Sequence, residues 1–144
     1  MKTKRFTAWR CLHPDLDRLE GEHSGLQISS TGGIDTVSEH ASIRQAVLLL
    51  LSTSPGERIM RPRYGCELKR LIFAPNNDTT AGLAIHYVRQ ALRRWEPRIN
   101  VTRVDANRYE NDEGHLYIEL DYQVRATGQE DSIIYRVNLN GGLN

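Results

Sequence analysis

Leu116-Tyr117-Ile118-Glu119-Leu120-Asp121-Tyr122-Gln123-Val124-Arg125 is the stretch that decides the fold class. Leu116, Ile118, Leu120, Tyr122 and Val124 fall on one side of an extended chain, and Tyr117, Glu119, Asp121, Gln123 and Arg125 on the other. Strict period-two alternation gives a strand with one buried and one wet face, which is the habit of antiparallel sheets. Upstream, Asn111-Asp112-Glu113-Gly114 reads as a hairpin turn, and Ile99 to Ala106 as the preceding strand. Ile99 and Val101 are in phase while Val104 is not, which predicts a bulge. Downstream, Thr127 to Asp131 turns the chain into a last strand carrying Ile133, Tyr135, Val137 and Leu139. Asn140 to Asn144 is expected to be a loose end.

The segment before this meander is helical in pattern. Ala81, Ala84, Ile85, Val88, Leu92 and Trp95 make one stripe at helical spacing. Asp78 or Thr79 is the expected cap, and Arg89, Arg93 and Arg94 lie off the stripe. Pro97 lacks a backbone N–H and biases Glu96 away from helix, so the helix should stop at Trp95. Glu96 and Arg98 then flank a rigid proline at the joint between helix and strand. An ion pair on the surface there would contribute little; a fixed pair of charges offered to a partner would matter more.

A first helix is predicted from about Ile43 to Thr53, capped by the Ser42–Gln45 spacing. Leu48 and Leu49 make it apolar nearly all round, so it should be buried on both sides. Pro55-Gly56 ends it. Gly56 to Cys66 reads as an extended connector bearing Arg58, Arg61 and Arg63, and Glu67 to Phe73 as a short helix. Gly25 to Ser30 is a short strand candidate, followed by a turn at Thr31-Gly32-Gly33. In Met1 to Ser24 only Phe6, Trp9, Leu12, Leu16 and Leu19 could pack, which suggests an extended arm. The expected organisation is an arm over 1–24 and one domain over 25–144. Its fold class is α+β, two main helices packed on a small antiparallel β-meander.

The 144 residues suit one domain with a real core, and the formal charge of +1 carries no signature of a nucleic-acid or membrane protein. The longest apolar run, Ala46 to Leu51, is too short to span a bilayer, and Met1 to Arg10 lacks the apolar stretch of a secretory signal. Cys11 and Cys66 are single and distant, which fits a reducing cytoplasm. The five histidines show no ligand spacing, so no metal or cofactor is expected. Glu119 and Asp121 share a strand face about 7 Å apart, the one arrangement open to glycoside hydrolysis; any exposed strand face looks the same. The arginines could serve nucleic acid, but they equally suit a protein interface.

Three stretches carry a resemblance. They are Ile43 to Thr53, Pro55-Gly56-Glu57-Arg58-Ile59-Met60-Arg61-Pro62-Arg63-Tyr64-Gly65-Cys66, and Trp95-Glu96-Pro97-Arg98-Ile99. Their order and spacing resemble the sheath-initiator baseplate wedge family of contractile phage tails, type VI secretion systems and extracellular injection particles, sometimes labelled lysozyme-like. The resemblance runs from about Ile34 to Leu139. It implies a structural subunit with no catalytic residues and no cofactor. Such a subunit is present in multiple copies around a six-fold baseplate, cytoplasmic during assembly and then part of the particle or secretion baseplate. The implied partners are the sheath protein and the core-bundle proteins of the wedge, with spike, hub or tube proteins as further candidates. Carried over, Glu96, Pro97 and Arg98 are the wedge contact. In the family, sheath strands add to the small sheet; the physical candidate for that edge is the strand of Ile133, Tyr135, Val137 and Leu139. Arg58, Arg61 and Arg63 are candidate interface arginines. A cell-wall glycan hydrolase and a nucleic-acid-binding module are the alternative readings.

Overall fold

The computed structural model describes Thr7–Trp9, Cys11–Leu12, Gly25–Leu26, residues 30–32, Thr36–Ser38 and residues 40–141. The chain divides into two compact units, Met1–Leu49 and Leu50–Asn144. In the first, β1 (Thr7–Trp9) pairs antiparallel with β4 (Thr36–Ser38), and β2 (Cys11–Leu12) with β3 (Gly25–Leu26). Of these strands the sequence foreshadowed only Gly25–Leu26; residues 27–29 of that candidate, and 1–6, 10 and 13–24 of the expected arm, lie outside the described residues. The turn at 30–32 is present, with Gly32 at φ +84°.

Helix α1 covers His40–Ser52, one turn earlier than its apolar pattern suggests. Ser42 is therefore not a cap but a buried residue inside the first turn. A helix's opening turn needs no apolar periodicity, so the pattern announces itself late. Ile43, Val47, Leu48, Leu50 and Leu51 are all buried, as a helix apolar nearly all round requires.

The second unit holds a 3-10 helix at Glu67–Leu71, α2 at Asp78–Trp95 and a meander of β5 (Ile99–Asn107), β6 (His115–Val124) and β7 (Glu130–Asn138). With α1 this gives two helices and a three-stranded antiparallel sheet of order β5-β6-β7, an α+β arrangement. Asn77, not Asp78 or Thr79, caps α2: its side-chain oxygen accepts the Thr80 N–H at 3.0 Å. Asp78 is already helical and instead pairs with Arg108 across 2.5 Å. Thr80, Ala81, Ala84, Val88, Ala91 and Leu92 are the buried face of α2, which lies along β5 and the 3-10 helix. Small residues dominate this face and allow the helix to sit close to the sheet. Leu116, Ile118, Leu120, Tyr122 and Val124 are all buried on β6, and the Tyr122 hydroxyl donates to Asp131 at 2.9 Å, so its burial leaves no orphan donor. The same contact brings the polar residues Glu130 to Ser132 into β7, which starts three residues ahead of its first apolar position. The register shifts between Val101 and Arg103, and the Thr102 hydroxyl donates to the Asp121 carbonyl at 3.1 Å. The phase break therefore is a bulge.

Gly56 to Cys66 is not extended. The Gly56 N–H reaches the Pro62 carbonyl at 2.7 Å, and the Cys66 N–H reaches the Thr53 carbonyl at 2.8 Å. Both ends of the loop are thus drawn together, as in a compact Ω-loop. The reversal uses Gly56 at φ +95° and Gly65 at φ +138°, conformations that composition alone hides under the label of connector. Burial pushes the Cys66 thiol up to about 11, so it behaves as a small apolar residue. A side chain at Gly65 would have its Cβ 2.5 Å from the Thr53 carbonyl oxygen, whereas Gly56 opens on empty space. Gly65→Ala should therefore cost roughly 2–4 kcal/mol in urea unfolding, and Gly56→Ala about 1 kcal/mol. Equal losses at the two glycines would refute this account of the loop.

Candidate functional site

Helix α2 ends at Trp95 because the next residue precedes proline. Glu96 takes the cap with φ −127° and ψ 72°, and its N–H still reaches the Leu92 carbonyl at 2.9 Å. The turn this imposes carries the Glu96 side chain inward: the residue is only 5 % exposed. Arg98 meets it fork to fork, with Nε to Oε1 at 2.6 Å and Nη2 to Oε2 at 2.9 Å. The pair is bidentate and largely desolvated on the carboxylate side, so it is not the weak surface bridge that the sequence leaves open. The hydrogen bond to Glu96 holds the Arg98 guanidinium above its ordinary value, against the opposing effect of burial. The Arg98 backbone is fixed too, since its carbonyl accepts the Arg125 N–H at 3.0 Å. Pro97 between them is exposed.

A second layer lies against the joint. Tyr64 packs edge-on to Trp95 with ring centroids 5.4 Å apart. The Arg58 guanidinium sits 4.2 Å over the Tyr64 ring, and Arg94 sits 5.1 Å over Trp95. Burial raises the Tyr64 hydroxyl, opposed chiefly by the nearby Arg58 charge. The structure so brings Arg58 to the joint through an aromatic stack. Arg61 and Arg63 remain exposed on the loop beyond it. Tyr64 and Trp95 as a coupled pair were not legible in the sequence; an arginine-flanked tyrosine between two loop glycines was the only hint.

The last strand is the other element of interest. Leu139 N–H donates to the Gly114 carbonyl and Val124 N–H to the Gln129 carbonyl, each at 2.8 Å. With the register Leu116↔Val137 to Gln123↔Glu130, this places Ile133, Tyr135, Val137 and Leu139 in the hydrogen-bonded pairs with β6. Their side chains turn to the core side; Ile133, Val137 and Leu139 are buried and Tyr135 partly so. The N–H and C=O groups of Ile134 and Arg136 consequently point away from β6. Ile134 is also 61 % exposed. Ser132, at the start of the strand, has its N–H covered by the Asp131 carboxylate at 2.8 Å.

Glu119 and Asp121 lie mid-sheet on the outer face. Asp105 and Ile134 flank the first, and Arg103 and Ser132 the second. Arg103 and Asp105 bridge each other at 2.8 Å. This is an open sheet face with its charges interlaced, not a cleft that could hold a sugar ring between two carboxylates.

Residues 37–129 match the family model described as baseplate wedge protein gp25. Baseplate protein W of Escherichia phage P2 is 29 % identical over 103 residues, covering 72 % of this chain and 88 % of that protein. Baseplate wedge protein gp25 of Enterobacteria phage T4 is 31 % identical over 64 residues, 44 % of this chain, and the match spans about half, 48 %, of its length. Among solved structures, a Geobacter sulfurreducens protein named for a tail lysozyme superposes with TM-score 0.65 at 35 % identity, covering 80 % of this chain and 96 % of that one. The charged joint, the stack on it and the outer strand all fall within or just beyond the stretch that carries the match. The chain belongs to the gp25 baseplate wedge protein family.

Proposed function

We propose that this subunit joins the wedge to the first sheath ring and starts sheath assembly by accepting a strand on β7. The outer edge of β7 carries this reading. Ile134 and Arg136 offer outward N–H and C=O groups beside an exposed apolar side chain. Such an edge is a liability unless a partner strand covers it. Strand addition draws affinity from the main chain and register from alternate side chains. The joint of Glu96, Pro97 and Arg98 is the wedge contact in this reading. Glu96 is spent on Arg98, so the surface offered to the wedge is exposed Pro97 with the outer part of the Arg98 guanidinium, whose side chain is 31 % exposed. Sheath protein and core-bundle wedge proteins are the partners; catalysis and nucleic acid have no part.

Removing one member of the joint should harm the fold more than removing both. Arg98→Ala strands a buried carboxylate and should cost roughly 3 kcal/mol, while Glu96→Ala with Arg98→Ala should recover a good part of that. The double variant should stay folded and fail to enter the baseplate, as read by denaturant unfolding beside electron microscopy of particles. Normal sheaths built on it would remove the joint from the wedge contact. Proline separates the two roles of β7. Ile134→Pro deletes only an outward N–H and should leave stability near that of the parent while blocking sheath nucleation. Val137→Pro cuts the ladder to β6 and should unfold the sheet. Sheaths of normal length on Ile134→Pro particles would defeat the strand-addition reading. Incubated with peptidoglycan, the purified chain should release no soluble fragments; release that Glu119→Gln abolishes would make it a hydrolase.

A further inference from the structure

The loop between α1 and the 3-10 helix carries two large side chains that the fold does not use. Ile59 is 96 % exposed and Met60 is 92 % exposed. Scattered apolar residues on a surface need no explanation, but adjacent ones at the tip of a held loop do. The loop is held in several ways. Arg61 N–H reaches the Arg58 carbonyl at 3.2 Å, and Tyr64 N–H reaches the Arg61 carbonyl at 3.0 Å. At its base the Glu57 carboxylate takes both the Lys69 ammonium and the Ser54 N–H, which together hold its pKa below the ordinary value. Tyr64 anchors the far side on Trp95. An ordered loop presents Ile59 and Met60 with part of the ordering cost already met, which is what an anchor for a partner pocket needs. The tip is ringed by cations. Arg58 lies over Tyr64, and Arg61 and Arg63 are exposed with no ion pair among the described residues.

We propose that the Ile59–Met60 tip is a plug that seats in an apolar socket with a carboxylate-bearing rim on another protein subunit of the same baseplate. Two apolar side chains at the centre and arginines at the margin match the usual division of an interface into a dry anchor and a charged rim. Methionine tolerates an imperfect socket because its chain is unbranched. Phosphate backbones would engage the arginines but leave Ile59 and Met60 in water. The inference rests on the chain being a baseplate subunit, and on neither the role given to the joint nor that given to β7.

The test uses the full chain in assembled particles. Benzoylphenylalanine placed at Met60 is irradiated in purified baseplates, and the linked peptide is read by mass spectrometry. The expected product joins Met60 to a different baseplate protein, at a segment that holds apolar residues beside Asp or Glu. Ile59→Ser with Met60→Ser should reduce incorporation of the chain into baseplates by at least about tenfold, with an unchanged unfolding midpoint. Arg61→Glu with Arg63→Glu should also reduce incorporation. Links only to a second copy of this chain, to nucleic acid or to lipid, no link at all, or parental incorporation of the serine variant would each overturn the proposal. The serine variant leaves Glu96, Arg98 and β7 intact, so its failure is separable from theirs.

Discussion

A carboxylate taken nearly out of water needs a cation beside it, and Glu96 is in that position. Arg98 meets it two residues later with both forks engaged. Only one residue lies between them, and that residue is proline. The pair can close over so short a span only if the chain turns sharply, and the proline restricts which turn is available. The direction in which α2 hands the chain to β5 is therefore set by an ion pair, a missing N–H and the tie from Arg125 to the Arg98 carbonyl. The sheet follows from that handover. β5 starts at Ile99, which is buried at once, and α2 lies back along the strand it has just produced.

That geometry makes the sheet unequal at its two edges. β6 is central, paired with β5 over 117–124 and with β7 over 115–123, and its apolar face is buried throughout. β5 is the strand along which α2 packs. β7 is the other outer strand, and its outward groups at Ile134 and Arg136 face away from all of this. The helix thus lies along one outer strand of the sheet, and the outward groups of Ile134 and Arg136 belong to the other. Lysine and proline are the usual guards of an exposed edge, and Ile134 is neither.

The sheet was legible because period-two alternation leaves little freedom: a slip of one residue would turn Leu116, Ile118, Leu120, Tyr122 and Val124 to water. The bulge at Thr102 was legible for the same reason, as a fault in that phase. Helix boundaries were less so. Asn77 and Asp78 are both good caps, and only the hydrogen bond to Thr80 separates them. Gly56 to Cys66 was misread because glycine and proline announce irregularity without saying whether the chain runs on or doubles back. That choice lies in φ at Gly56 and Gly65. The joint was legible as a place and not as a state. The spacing Glu-Pro-Arg admits a solvated pair, an outward pair or a buried fork, and the burial that decides among them arises only in the fold, which also brings Tyr64 from a distant loop near enough to feel the Glu96 charge.

The arginines show why net charge is a poor guide to such a protein. The formal charge is only +1, yet cations crowd the joint and its loop. Arg98 is committed to Glu96, Arg58 to Tyr64 and Arg94 to Trp95. Each of these loses freedom on folding and gains a fixed orientation, which favours a partner of fixed charge pattern over a general polyanion. Arg61 and Arg63 differ, being exposed beside an apolar tip. A nucleic-acid surface would distribute such cations along a groove and would have no use for Ile59 and Met60. A protein interface requires the opposite: few anchors, each rigidly mounted, with charge at the margin to set register. The stack that mounts this loop on Trp95 ends one residue before the buried pair, so one short helix terminus positions both charged features.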